Sequence, residues 1–210
     1  KKMKKKYPFE DNTYVFLGDY VDGNFETKQV IKELRRLQKK YPHWVFLRGN
    51  HEDMLLMALN PGGSIVYPAY FRNWYRQGGY ATYKSYANDG PGEFDPSPNE
   101  AILTNKAFRH DQEWIMTLPY IHETDEYIFV HAGLQPNIPV KQNSPETMTW
   151  IRHEFINSNY DWGKRVIYGH TYTKSPRIEP NKIGIDTMTH DNGYITAVIL
   201  DPNDQHAEPE

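Results

Sequence analysis

Cysteine is absent from the 210 residues, which excludes disulfides and thiolate metal ligands and suits a reducing compartment. No apolar stretch approaches the roughly 18 residues of a membrane span, and no signal-peptide pattern opens the chain. Charge of one sign is also lacking: 24 Lys and Arg stand against 27 Asp and Glu, a formal net charge of -3. No whole-chain field therefore favours nucleic acid or an anionic membrane, and any bound anion must be held locally. A soluble, cytoplasmic protein with neither partner is expected. Internal repeats and a clear linker are missing too, so one domain is expected over residues 1–200, with a polar tail over 201–210.

What is present begins with one charge run, "KKMKKKYPFEDN", which reads as a solvated helix end or arm. A start inside a lysine run without an initiator Met reads as a fragment. Apolar residues Tyr14 to Leu17 predict a strand over 13–19, and Val30, Ile31, Leu34 and Leu37 recur at helical spacing over 26–40. "HWVFLRGN" predicts the next strand. Strand, helix and strand at this spacing form a βαβ unit, whose strands run parallel and end on one edge. A short helix, "HEDMLLMAL", follows and stops at "NPGG".

Residues 64–125 read as a helical and loop insertion rich in aromatics, with the turn-rich "DGPGEFDPSPNE" inside it and a helix near "FRHDQEWIMTL". Strands are expected again at "YIFVHAGL", "RVIYGHT", "KIGIDTM" and "YITAVILD", with a helix over "SPETMTWIRHEFI". The expected class is α/β, a sandwich of two mixed sheets flanked by helices.

Four strand ends carry polar signatures: "GDYVD", "RGNHE", "VHAG" and "YGHT". In open α/β sheets the ligand crevice lies beyond the carboxyl ends of the strands, so Asp19, Asn50, His131 and His170 are candidates to converge. Taken singly, each histidine reads better as a hydrogen-bonded core residue; four such strand ends in one chain are a stronger sign. A carboxylate, an amide oxygen and two imidazoles suit Mn, Fe or Zn better than Ca. One such ion can polarise a phosphoryl oxygen and lower the pKa of a bound water toward about 7. Phosphate ester hydrolysis is the natural use. His43, His110, His122, His153 and His206 lack that context, while His190 follows Asp186 in a loop near the expected site.

"GDYVD", "LRGNHE", "FVHAGL", "YGHT" and "IGIDT", in this order and together with "WIRHEF", resemble the phosphoprotein phosphatase branch of the calcineurin-like metallophosphoesterases, bacterial and phage serine/threonine phosphatases above all. The resemblance covers nearly the whole chain. It implies two divalent ions, Mn first, with Fe or Zn as alternatives. Asp19 matches the bridging carboxylate, and Asn50, His131 and His170 match the other ligands of the second ion. His51 matches the acid beside the leaving group, Asp22 the carboxylate that orients it, and Arg152 a phosphate-binding arginine. Adjacent side chains diverge, so His51 is poorly placed to ligate the ion held by Asn50, and a nearby Asp22 would favour its imidazolium. Arg152 offers a planar fork to phosphate oxygens. Arg48 could add positive potential toward phosphate or form a salt bridge under the site.

Two departures from the family pattern stand out. Gly23 occupies the place of a phosphate-clamping arginine, and residues 1–12 contain no Asp-x-His pair. One metal site is therefore expected to be complete and the other to retain only Asp19, as if the first strand and motif lay upstream. The stretch "AYFRNWYRQGGYATYKSY" is expected to pack as a helical cap, or else to form a lip touching the group that carries the phosphate. The expected substrate is a phosphoserine or phosphothreonine protein or a small phosphoester. The alternatives are a dinucleoside polyphosphate such as diadenosine tetraphosphate, and a catalytically weak module that binds metal or phosphopeptide.

Overall fold

The computed structural model describes residues 7–59, 68–87, 105–188 and 193–200. The lysine run 1–6, "NPGG", the turn-rich 89–100, His190 and the tail 201–210 lie outside the described residues. The chain divides into two compact units, 1–118 and 119–210. It is a mixed α/β fold with two sheets and flanking helices.

The first unit is built on the expected βαβ element. Strand β1 (Val15–Phe16) runs parallel to β2 (Val45–Phe46), with Val15 opposite Val45 and Phe16 opposite Phe46. Helix α1 (Thr27–Lys40) makes the crossover and buries Ile31 completely. Parallel register brings the segments that leave both strands to one edge. There the chain passes into the Gly18–Gly23 loop on one side and into α2 (Asn50–Leu59) on the other.

Helices α3 (Pro68–Trp74) and α4 (Tyr80–Ala87) form the aromatic insertion, joined by a π-helical turn over Tyr75–Gly79. Most of its aromatic residues are core, although Tyr70 is exposed and Tyr80 only partly buried. Phe71, Trp74, Tyr75, Tyr83 and Tyr86 are buried with Val21, Ile31, Met54 and Leu55 in one cluster. Each side chain so buried contributes about 1.5 to 3 kcal/mol, enough to anchor a cap on the βαβ unit. Helix α5 (Lys106–Thr117) closes the unit, with Asn105 as N-cap accepting from the Phe108 N–H.

The second unit is a five-stranded mixed sheet in the order β3-β4-β5-β7-β6. Its strands are β3 (Ile121–Glu123), β4 (Tyr127–Val130), β5 (Arg165–Tyr168), β6 (Arg177–Ile178) and β7 (Lys182–Gly184). Strands β4, β5 and β7 are parallel, while β3 and β6 pair antiparallel at the edges. The middle residues of the central strands, Ile128, Phe129, Val166, Ile167 and Ile183, are apolar and buried, as burial on both faces requires.

Two expectations are altered here. The helix expected over 144–156 is two helices, α6 (Pro145–Trp150) and α7 (His153–Ile156), because Ile151 (ψ 140°) and Arg152 (φ -130°, ψ -92°) leave helical geometry. The strand expected over 194–201 is not formed among residues 193–200, where Val198 makes only an isolated bridge. Tyr194 and Ile195 stay 75% and 86% exposed, so alternation there has no buried face to fill. A hydroxyl pair, Thr187 to Thr196 at 2.6 Å, tethers that segment.

Candidate active site

In the first unit the site is a loop in left-handed backbone. Gly18, Asp19, Asp22 and Gly23 have φ of 105°, 59°, 72° and 74°. Glycine enters that region without cost and aspartate more readily than most residues, which accounts for the composition "GDYVDG".

Glu52 holds the loop. Its carboxylate is fully buried and accepts four backbone N–H groups: Asp19 at 2.9 Å and Gly49 at 2.8 Å on Oε2, Tyr20 at 2.6 Å and Val21 at 3.3 Å on Oε1. Burial pushes its pKa up to about 7, and the Asp19 charge adds to the rise, against the pull of these donors. Glu52 thus ties the segment leaving β1 to the start of α2. Asn50, 3% exposed, begins that helix, and the His51 N–H donates to Asp19 Oδ1 at 3.2 Å.

The His51 ring faces Asp22, with Nδ1 2.8 Å from Oδ2. The Asp22 side chain is almost wholly buried and that of His51 about a quarter exposed. Two donors from the insertion complete Asp22. Trp74 Nε1 lies 3.0 and 3.1 Å from its oxygens, and Thr82 Oγ1 donates to Oδ1 at 2.8 Å while accepting from the Asp22 N–H at 2.7 Å. Burial raises the Asp22 pKa, and the bonds from His51, Thr82 and Trp74 oppose that rise. For His51, burial disfavours the cation, but the hydrogen bond to Asp22 and the charges of Asp19, Asp22 and Glu52 raise its pKa to about 9. The imidazolium is the form present at neutral pH. Such a group can donate a proton.

Arg48 is mostly buried, 3.4 Å from Asp53 and 2.5 Å from the Met116 carbonyl oxygen. This is the salt-bridge arrangement. A Cβ built on Gly23 meets nothing within 4 Å, but its φ of 74° favours glycine over an arginine.

In the second unit, His131 directly follows β4 and His170 lies two residues beyond β5. Because β4 and β5 are parallel neighbours with Phe129 opposite Ile167, both histidines emerge on one edge. Both are buried, and His131 Nε2 lies 3.3 Å from His170 Nδ1. Two nitrogens bound at about 2.0–2.1 Å to one tetrahedral ion would lie about 3.3–3.4 Å apart. The pair is therefore spaced as two ligands of one ion. His170 has φ 62°, left-handed geometry that is uncommon for histidine. The Gly169 N–H donates to the His131 carbonyl oxygen at 2.8 Å, and Arg152 Nη1 donates to the His170 carbonyl oxygen at 2.8 Å and to Thr171 Oγ1 at 3.2 Å. The helix break at Arg152 lets its side chain brace the turn that carries His170.

Glu52, Trp74 and Thr82 are absent from the sequence reading of the site. "RGNHE" contains Glu52, yet nothing local says that it turns inward. Trp74 and Thr82 sit in the "RNWYRQGGYATYKSY" stretch, whose spacing marks packing and not polar contacts.

The calcineurin-like phosphoesterase family model matches residues 1–199. A 56-residue segment, 26% of the chain, is 43% identical to the serine/threonine-protein phosphatase rdgC of Drosophila melanogaster. Shorter segments are 46% identical over 44 residues to a protein phosphatase 2A catalytic chain of Dictyostelium discoideum and 45% identical over 49 residues to the serine/threonine-protein phosphatase SIT4 of Candida albicans. These segments cover 20% and 22% of the chain, and the three matches span 8%, 14% and 16% of the relatives' own lengths. Among solved structures, a candidate diadenosine tetraphosphatase superposes over 89% of the chain and 76% of its own, with a TM-score of 0.56 and 18% identity. A cold-active protein tyrosine phosphatase superposes over 93% of the chain and 64% of its own, with a TM-score of 0.58 and 12% identity. Likeness at that identity speaks for the fold, and the match over 199 residues for the lineage: the chain belongs to the calcineurin-like phosphoesterases.

Proposed function

We propose that the chain hydrolyses phosphate monoesters, phosphoserine and phosphothreonine of proteins first among them, by a metal-activated water and without a covalent enzyme intermediate. The observation that carries the reading is the His51–Asp22 contact at 2.8 Å, an acid at the start of α2 and its orienting carboxylate in the loop that also carries Asp19. Asp19 and Asn50 in the first unit, and the His131 and His170 pair in the second, are taken as the metal ligands on their match to the family pattern. The mixed oxygen and nitrogen donors and the spacing of the two imidazoles fit a divalent ion, Mn, Fe or Zn, as the family uses. Such an ion supplies Lewis acidity toward a phosphoryl oxygen and a water of lowered pKa.

The chain's own groups perform the remaining steps. His51, held cationic by Asp22, donates its proton to the leaving alkoxide oxygen as the ester bond breaks. Arg152 has guanidinium nitrogens beyond the one that braces the His170 turn and can present them to phosphate oxygens. Arg48, held by Asp53 and Met116, is the weaker choice for that task. Short serine/threonine phosphatase matches favour phosphoprotein over dinucleoside polyphosphate.

His51→Asn in the presence of Mn should lower turnover of a phosphoserine peptide by about 10²- to 10⁴-fold while metal stoichiometry stays the same. Turnover unchanged would remove His51 as the acid. Faster hydrolysis of diadenosine tetraphosphate than of the peptide by wild type would move the substrate to the alternative class.

A further inference from the structure

Asp22 is not a free carboxylate waiting beside His51. Its two oxygens are shared among three donors, of which two, Trp74 and Thr82, come from the aromatic insertion 52 and 60 residues away. Thr82, itself fully buried, is engaged twice with Asp22, through the N–H and through the carboxylate, and its hydroxyl lies 3.2 Å from that of Thr27 in α1. Trp74 is also fully buried. Its indole could be there for packing alone, but Nε1 spans both oxygens of one carboxylate, and packing does not require that. The turn between the two helices is shaped to allow it. A Cβ on Gly79 would lie 2.3 Å from the Trp74 ring, and one on Gly78, whose φ is 103°, would lie 2.9 Å from the Gly23 nitrogen. The Gly23 N–H in turn donates to the Gly78 carbonyl oxygen at 3.1 Å. The insertion therefore grips the Asp22–Gly23 corner by backbone and by side chain.

We propose that Trp74 and Thr82 are positioning residues for proton donation: they orient the Asp22 carboxylate so that Oδ2 holds the His51 ring at the angle that presents its other nitrogen to the leaving group. The inference rests on the phosphoesterase reading of this site and assigns the insertion a part in it. A carboxylate deprived of one donor can rotate, and a rotated carboxylate no longer fixes the ring. The loss falls on the step that uses the proton.

The test compares two phosphoesters in the full chain with Mn: an alkyl ester, a phosphoserine peptide, and an aryl ester, p-nitrophenyl phosphate, whose leaving group needs little protonation. Thr82→Val keeps the shape and removes the hydroxyl; Trp74→Phe removes the indole N–H. Each should lower kcat for the alkyl ester about five- to tenfold, the scale of one lost hydrogen bond, leave the aryl ester within about twofold, and leave KM and metal stoichiometry unchanged. Thr82→Ser should return the alkyl rate to near wild type. In the metal-free protein, the downfield proton resonance of the His51 Nδ1–H, identified by its absence in His51→Asn, should persist in Thr82→Ser and weaken or shift in Thr82→Val. Equal losses on both esters, or a resonance unmoved in Thr82→Val, would overturn the positioning role. Should Trp74→Phe fail to fold, the Thr82 pair decides alone. A wild type that hydrolyses neither ester overturns the phosphoesterase reading itself, and this inference with it.

Discussion

Glu52 makes the sharpest demand on residue identity in the first unit, because four backbone N–H groups converge on one buried carboxylate. An amide in its place turns an NH2 toward two of those donors. Leaving buried donors unsatisfied costs about 1–3 kcal/mol, so Glu52→Gln should lower unfolding stability by about 2 kcal/mol at pH 8 in a urea titration. A change below about 0.5 kcal/mol would mean that the loop finds other acceptors. Because the same carboxylate shapes the turn bearing Asp19 and the start of α2 bearing Asn50, the variant should also bind Mn more weakly. Asp19, Asp22 and His170 all sit at positive φ, and Glu52, Thr82 and Arg152 each bond the backbone of one of these turns. Strain is thus matched by local hydrogen bonds.

Among the elements, the edge of the second sheet is fastened by charge. Lys182 opens β7 with no exposed surface; its ammonium lies 2.6 Å from a Glu179 oxygen and donates to the Ser158 carbonyl oxygen at 2.7 Å. Arg177 of β6 reaches the other Glu179 oxygen. Partial burial opposes the Glu179 charge, but its bonds to Lys182 and Arg177 win and hold its pKa below the usual glutamate range. A carboxyl depressed in the folded state adds stability that is present above the unfolded pKa of about 4.3 and lost as pH falls through the folded value. The Tm difference between wild type and Glu179→Gln should therefore be constant near neutrality and shrink below about pH 4.3. A gap that widens in acid would reverse the sign and refute this account. Helix α6 ends for a related local reason: the chain must leave helical geometry at Arg152 for the guanidinium to reach the His170 turn. The apolar and polar pattern of "SPETMTWIRHEFI" runs on through that break, since periodicity reports which face is buried and not where a side chain finds a long-range acceptor.

For the molecule as a whole, each of the two units has its own core and carries proposed ligands, Asp19 and Asn50 in the first and His131 and His170 in the second. Metal that binds only the folded protein raises its stability by mass action, about 2.7 kcal/mol at a concentration 100 times Kd. Mn should raise the wild-type Tm by several degrees and leave that of His170→Ala nearly unchanged, as scanning calorimetry would show. An equal rise in both would take His170 out of the ligand set. The sequence by itself determined the α/β class, the parallel β1 and β2 pairing, the strand ends on which Asp19, Asn50, His131 and His170 lie, and the likeness to phosphoesterases. These are legible because hydrophobic period, Gly and Asp in tight turns, and short motifs act over a few residues. Only the tertiary structure decided that the aromatic insertion bonds Asp22 through Trp74 and Thr82, that Glu52 turns inward to gather four N–H groups, and that Arg48 is taken up by Asp53 and Met116. Those contacts join residues from 3 to 68 positions apart, most of them more than 30, and which polar group meets which across a core depends on how whole helices pack, which no local pattern encodes.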